Sequence, residues 1–234
     1  MKGHIVLEGG SEFGGQMMLP DIRSMELAGG VGVPICIIPT AAAADNNHER
    51  AGNNGKRWFQ KLGASNVTVL PLIDERSAND PTIIHSLEEA KLIYLLGGFP
   101  RYLGQTLAGS DAWQAMQQAY SGGAVISGSS AGAMVLCEFY YNPGANEIVA
   151  GLGLVPNSCV LPHHNTYGKR WAAELRSHLP DALLIGIDEQ TGLIDDGDNG
   201  QWRAYGAGGV TLYRPEDRSL SFASIYMSGY SFLL

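Results

Sequence analysis

Short apolar runs separated by polar, helix-forming stretches dominate the first two thirds of the chain. The runs His4–Leu7, Pro34–Pro39, Val67–Leu72, Leu92–Leu96 and Ala124–Ser127 are continuous rather than alternating, with turn signals after them. That is the pattern of strands buried on both faces of a parallel sheet. Between them the sequence predicts helices over Leu19–Ala28, Asn46–Leu62, Pro81–Glu88 and Tyr102–Tyr120, the last broken near Gly109-Ser110. Asp45 stands where it would cap the second helix, whose Ala51, Trp58, Phe59 and Leu62 form an apolar set. Repeated βα units of this kind predict a doubly wound, mostly parallel α/β sheet flanked by helices.

Past Ser130 the pattern changes. A short helix over Ala131–Cys137 leads to strand-like pieces near Ile148–Ala150 and Cys159–Leu161, then a helix over Gly168–His178 and a strand over Leu183–Ile187. The last forty residues read as antiparallel strands: Leu193–Ile194 with Gln201–Tyr205, and Val210–Tyr213 with Leu220–Ala223, each pair joined by a turn-rich segment. No repeat or linker divides the chain, so its 234 residues are read as a single domain.

Composition narrows the partners. The net charge is −8 with no basic run, which argues against nucleic-acid binding, an affinity built on Lys and Arg neutralising phosphates. No apolar stretch approaches the roughly 20 residues that span a bilayer, and the N-terminus has too short an apolar region for a signal peptide. Cys36, Cys137 and Cys159 form no CxxC pair and read as buried reduced thiols, which points to a cytoplasmic protein. No HExxH or other ligand spacing suggests a metal, and no cofactor motif is met: Gly9-Gly10…Gly14-Gly15 departs from the dinucleotide fingerprint and reads as a strand-end loop near the active-site edge. Asp195–Gly200 lacks the glutamate and flanking helices of a calcium loop and reads as a hairpin turn.

The most informative stretch is Val125–Met134, where Gly128-x-Ser130-x-Gly132 sits between an apolar strand and a helix. A nucleophile on a sharp strand-to-helix turn needs glycine two positions to either side, because side chains there would strike the strand and the helix. Such a turn lifts the Ser130 hydroxyl above the sheet and aims the Ala131 N–H at a developing oxyanion. A serine nucleophile needs a base and the base an orienting acid. Catalytic groups in open α/β sheets lie beyond the carboxyl ends of strands. His163 and His164 directly follow one strand, and Asp188 and Glu189 directly follow another, whereas His4, His48, His85 and His178 begin a strand or sit on helices. An α/β-hydrolase would place its histidine last; here no histidine follows His178, and the order Ser, His, acid fits better.

Taken in order, Leu7–Glu12, Leu95-Leu96-Gly97-Gly98, Gly128–Ala133, Gly151–Pro156 and Gly186–Thr191 resemble the cyanophycinase and dipeptidase E family of serine peptidases, whose core is similar to class I glutamine amidotransferases. The resemblance runs over most of the chain, to about Gly192. It implies Ser130 as nucleophile, His163 as general base, Glu189 as the acid, and the N–H groups of Gly98 and Ala131 as oxyanion donors. Where cyanophycinases carry polar residues after the Gly-Gly, this chain has Phe99-Pro100-Arg101, and the Arg-rich stretch that follows their histidine is here Asn165-Thr166-Tyr167-Gly168-Lys169-Arg170. The substrate side chain is therefore open. For an acidic one, Arg101 is the first candidate cation, then Lys169 and Arg170; His164 is a further substrate-binding candidate. The expected function is a serine peptidase cleaving a peptide or isopeptide bond in a small peptide substrate. The alternatives are a catalytically silent member that binds a small molecule or partner, and an α/β-hydrolase-type esterase relying on His178. The antiparallel C-terminal strands also offer edges that would pair across a homodimer.

Overall fold

A computed structural model describes residues 2–217 and 223–234. The βα alternation is present as β1 (Ile5–Glu8), α1 (Met18–Ala28), β2 (Ile35–Ile38), α2 (His48–Lys61), β3 (Val67–Val69), α3 (Pro81–Glu89), β4 (Leu92–Leu95), α4 (Pro100–Leu107), α5 (Asp111–Ser121) and β5 (Val125–Ser129). The break between α4 and α5 has a local cause. Gly109 takes φ +73°, and Ser110 caps α5 by accepting the Trp113 N–H at 3.1 Å. The cap expected from Asp45 is not made: Asn47 occupies the cap position of α2, with no side-chain bond, because residues 40–47 first turn in 3-10 and bend geometry and delay the helix start.

The second part comprises α6 (Ala131–Leu136), β6 (Cys137–Asn142), β7 (Glu147–Ala150), β8 (Val155–Leu161), α7 (Ala172–His178), β9 (Leu183–Ile187), β10 (Thr191–Ile194), β11 (Trp202–Gly206), β12 (Gly209–Tyr213), β13 (Ser224–Met227) and β14 (Ser231–Phe232). Helix α7 is preceded by a 3-10 turn over Gly168–Trp171. Of the strand expected at Leu220–Ala223, residues 220–222 lie outside the described residues, and β12 takes β13 as its antiparallel partner.

These strands form two sheets rather than one. The first has the order β14-β11-β10-β1-β5-β4-β2-β3, parallel from β1 to β3 and antiparallel from β1 outward through β10, β11 and β14. The second has the order β13-β12-β9-β8-β6-β7, with β6, β8 and β9 parallel. The split follows from the length of α6. Six residues are too few for a crossover returning to the same sheet, which takes a dozen or more, so the chain enters β6 directly at Cys137.

Every residue of α6 is buried, and the helix lies against β5 and β1 on one side and β6 and β8 on the other. Leu7, Leu95 and Ile126 of the first sheet, and Val160, Ile185 and Leu212 of the second, share one core with it. A separate cluster on the opposite face of the first sheet packs Val6, Ile35, Ile37 and Tyr94 against Met25 of α1 and Trp58 and Phe59 of α2. None of the described helices is long and apolar enough to cross a membrane.

Candidate active site

Ser130 stands between β5 and α6 with φ +48° and ψ −109°, a conformation that non-glycine residues rarely hold. The two flanking glycines make it attainable. A Cβ on Gly128 would lie 2.4 Å from the Gly132 carbonyl carbon, and one on Gly132 would lie 2.3 Å from the Leu95 oxygen. The Ser130 N–H donates to the Glu8 carbonyl at 3.0 Å, which ties the elbow to the end of β1.

The parallel strands β8 and β9 end on the same edge of the second sheet and deliver the partners. His163 follows β8 with φ +50°, and its N–H donates to the Gly9 carbonyl at 2.7 Å. Its Nε2 lies 3.0 Å from Ser130 Oγ, and its Nδ1 lies 2.8 Å from Glu189 Oε1. With the Glu189 carboxylate as acceptor, Nδ1 carries the proton and Nε2 presents its lone pair to the serine hydroxyl. Glu189 occupies the turn by which the chain leaves β9 for β10, held by a bond from its own N–H to Asn165 Oδ1 at 3.0 Å. The His163 bond keeps its carboxyl below the usual carboxylate range.

Two contacts fix the imidazole that the sequence did not single out. A Cβ on Gly10 would lie 2.3 Å from the His163 ring, so that glycine is there for close approach. Tyr167 stacks on the other side at 4.8 Å between centroids and 20° between planes, and its own edge meets Trp171. The Gly-Gly after β1 was the visible signal for the first contact; the tyrosine had none. Glu12 is a third unforeseen neighbour, accepting from Ser129 Oγ at 3.0 Å beside Gly97.

Gly98 follows β4, the parallel neighbour of β5, with φ +142°, and a Cβ there would lie 2.3 Å from the Ala41 carbonyl oxygen. Among the described residues its N–H donates to no backbone carbonyl. The Ala131 N–H follows the nucleophile at the first position of α6.

Two expected substrate-binding residues are placed elsewhere. Arg101 pairs with Glu147 of β7, because α4 turns that side chain toward the edge of the second sheet. His164 is buried, with its Nε2 at 2.9 Å from the Tyr213 hydroxyl and its Nδ1 at 3.5 Å from Asp188 Oδ1. Burial opposes ionisation of Asp188, but the bonds from His164 and the Gly209 N–H outweigh it and hold that carboxyl low. His178 is exposed on α7 and bonds locally to Glu174 and Ser177. Lys169 and Arg170 line a separate cleft with His164, Asp188 and Thr211.

The three cysteines are buried and unpaired, and burial raises the Cys36 thiol to about 11 and Cys137 to about 12. They are protonated near neutral pH. In the Asp195–Gly200 turn, Asp195 accepts from the Ile5 N–H, and Asp196 accepts from Arg23 and Tyr205, so both carboxylates serve the hairpin. Among the described residues no group of three His, Cys, Asp or Glu side chains is arranged to hold a metal ion.

Residues 5–202 match the family described as Peptidase family S51. The chain belongs to that family. It is accordingly a serine-type peptidase. This S51 peptidase is 29% identical over 232 residues to the cyanophycinase of Synechococcus elongatus, covering 93% of this chain and 70% of that one. It is also 29% identical over 197 residues to the cyanophycinase of Trichormus variabilis, covering 78% and 64%. Among solved structures, a peptidase from an acI-B1 Actinobacterium superimposes with a TM-score of 0.86 at 26% identity, over 100% of this chain and 98% of that one. A putative peptidase E protein from Listeria monocytogenes EGD-e shares the fold, with a TM-score of 0.64 at 17% identity over 89% of this chain and 100% of that one.

Proposed function

We propose that this S51 peptidase cleaves a peptide or isopeptide bond in a small peptide substrate, with Ser130 as nucleophile, His163 as general base and Glu189 as the orienting acid. The observation that carries the reading is the continuous Ser130–His163–Glu189 hydrogen-bond relay at 3.0 and 2.8 Å, built on a strained elbow. Nε2 takes the hydroxyl proton as Oγ attacks the carbonyl. Glu189 holds the ring in the correct tautomer and stabilises its cationic form. The N–H groups of Gly98 and Ala131 receive the negative oxygen, each lowering the barrier by about 3 kcal/mol by comparison with other such donors. The imidazolium then protonates the leaving amine, and water, activated by the same nitrogen, releases the acyl group.

A cytoplasmic setting accords with the three buried, unpaired thiols. Similarity to cyanophycinases and to the peptidase from an acI-B1 Actinobacterium supports an amide-cleaving reaction. The test is a screen of dipeptides and β-linked aspartyl peptides with the wild type and Ser130→Ala, alongside labelling by a fluorophosphonate probe. Turnover and labelling in the wild type, both lost in a folded Ser130→Ala protein, are the expected results. Undiminished turnover by Ser130→Ala excludes the assignment.

A further inference from the structure

A groove runs from Gly97, which adjoins Ser130, along α2. It consists of two adjoining cavities of about 400 and 390 Å³ that share Glu12, Phe13 and Asn54; the first also borders Gly97 and Gly98, and the second borders Trp58. The cap residue Asn47 with Arg50 and Asn54 of α2 lines the first, and Asn54, Arg57 and Lys61 of α2 line the second. Steps of three and four residues put these side chains on one face.

Both signs of charge line this groove. Glu12, Asp45 and Arg50 share the cavity that touches Gly98, and Arg57 and Lys61 line the second, which Glu12 also borders. Among the described residues none of these three cations has a carboxylate within ion-pair distance, whereas Arg23 and Arg101 do. Arg50 donates from Nε to Asn47 Oδ1 at 2.8 Å, and Arg57 from Nη2 to Asn54 Oδ1 at 2.5 Å. Each asparagine steadies one edge of its guanidinium and leaves other N–H groups open. Arginines without a carboxylate partner, along a groove that begins at Gly97 and Gly98, stand out in a protein of net charge −8.

We propose that this groove takes the acidic segment of a peptide substrate, with Arg50 and Arg57 each meeting a carboxylate. This rests on the hydrolytic reading of Ser130. Glu12, which meets Gly97 next to Ser130 and accepts from Ser129, disfavours a carboxylate immediately beside the scissile carbonyl, so the acidic residues sit farther out. Arg50 and Arg57 are two helical turns apart, about 10 Å, which an extended peptide spans in about three residues. The substrate class is therefore a peptide that is neutral or basic at the cleaved bond and acidic from about three residues away.

The test uses fluorescein-labelled peptides bearing three Glu, or three Gln in their place, starting three residues to one side or the other of a neutral pair. Binding to Ser130→Ala is read by anisotropy, without dependence on turnover. One of the two Glu peptides is expected to bind roughly tenfold more tightly than its Gln counterpart at 50 mM salt, the gap closing at 0.5 M. Arg50→Gln with Arg57→Gln is expected to bring the ratio to about one, and Arg50→Lys with Arg57→Lys to retain most of it. Equal binding of Glu and Gln peptides in both placements overturns the proposal, as does a Glu preference that survives removal of both arginines. Failure of the hydrolytic reading shows separately, as turnover that persists in Ser130→Ala.

Discussion

Beneath the elbow two carboxyl groups are buried against each other. Glu8, at the end of β1, accepts from the Tyr94 hydroxyl and from Ser127 Oγ; Asp21, on α1, accepts from Trp58 Nε1 at 2.7 Å. Both are fully buried, and Asp21 Oδ1 finds no donor among the ordinary N–H and O–H groups of the described residues. A protonated Glu8 supplies one. Burial, then the Asp21 charge, raises Glu8 well above the carboxylate range, while burial raises Asp21 from its ordinary 3.8 to about 7. A carboxyl whose folded value is raised holds its proton more tightly in the native state than in the unfolded chain. Its contribution is present below about pH 4 and is lost as pH rises toward 7. At about 1.4 kcal/mol per pH unit, Asp21 costs about 4 kcal/mol of stability at pH 8. Asp21→Asn removes that titration, keeps an oxygen for Trp58 and offers an amide to Glu8. Relative to wild type, the variant is expected to gain about 2–4 kcal/mol between pH 4.5 and pH 8.5, or roughly 5–15 °C in Tm for a chain of this size. Urea unfolding of both proteins across that range is the assay. Parallel stability curves, with the variant lower throughout, would refute the shared-proton reasoning.

Two further substitutions test the elbow and the relay. Gly132→Ala drives a methyl group to within 2.3 Å of the Leu95 carbonyl oxygen, and is expected to cost roughly 3–5 kcal/mol, visible as a lowered denaturant midpoint; an unchanged midpoint would show that the helix can move off β4. Glu189→Gln leaves a side chain of the same shape but removes the charge facing Nδ1, and kcat is expected to fall by roughly 10²–10⁴ with KM little altered. Wild-type turnover by that variant would remove Glu189 from the reaction.

The apolar runs of the first two thirds fixed β1 to β5 closely, because strands buried on both faces leave an uninterrupted signature that needs no knowledge of their neighbours. The elbow was legible for a similar reason: the spacing of Gly128 and Gly132 about Ser130 is a local steric requirement. Strand β6 was hidden, since Cys137–Asn142 continues an apolar helix without a break and becomes a strand only by pairing with β7 and β8. Adjacent residues leaving a strand face opposite ways, so each of the pairs His163-His164 and Asp188-Glu189 offers one member to Ser130 and one to the interior. Composition does not say which. The register of β8 on β9 decides it, sending His163 and Glu189 to the serine and turning His164 and Asp188 back toward Tyr213. Arg101 was misplaced by the same logic, because its nearness to Gly98 in the chain says nothing of the direction in which α4 points it. Local patterns determine what a segment becomes and where the backbone must bend; the choice between neighbouring side chains of like chemistry belongs to the packing of one sheet against another.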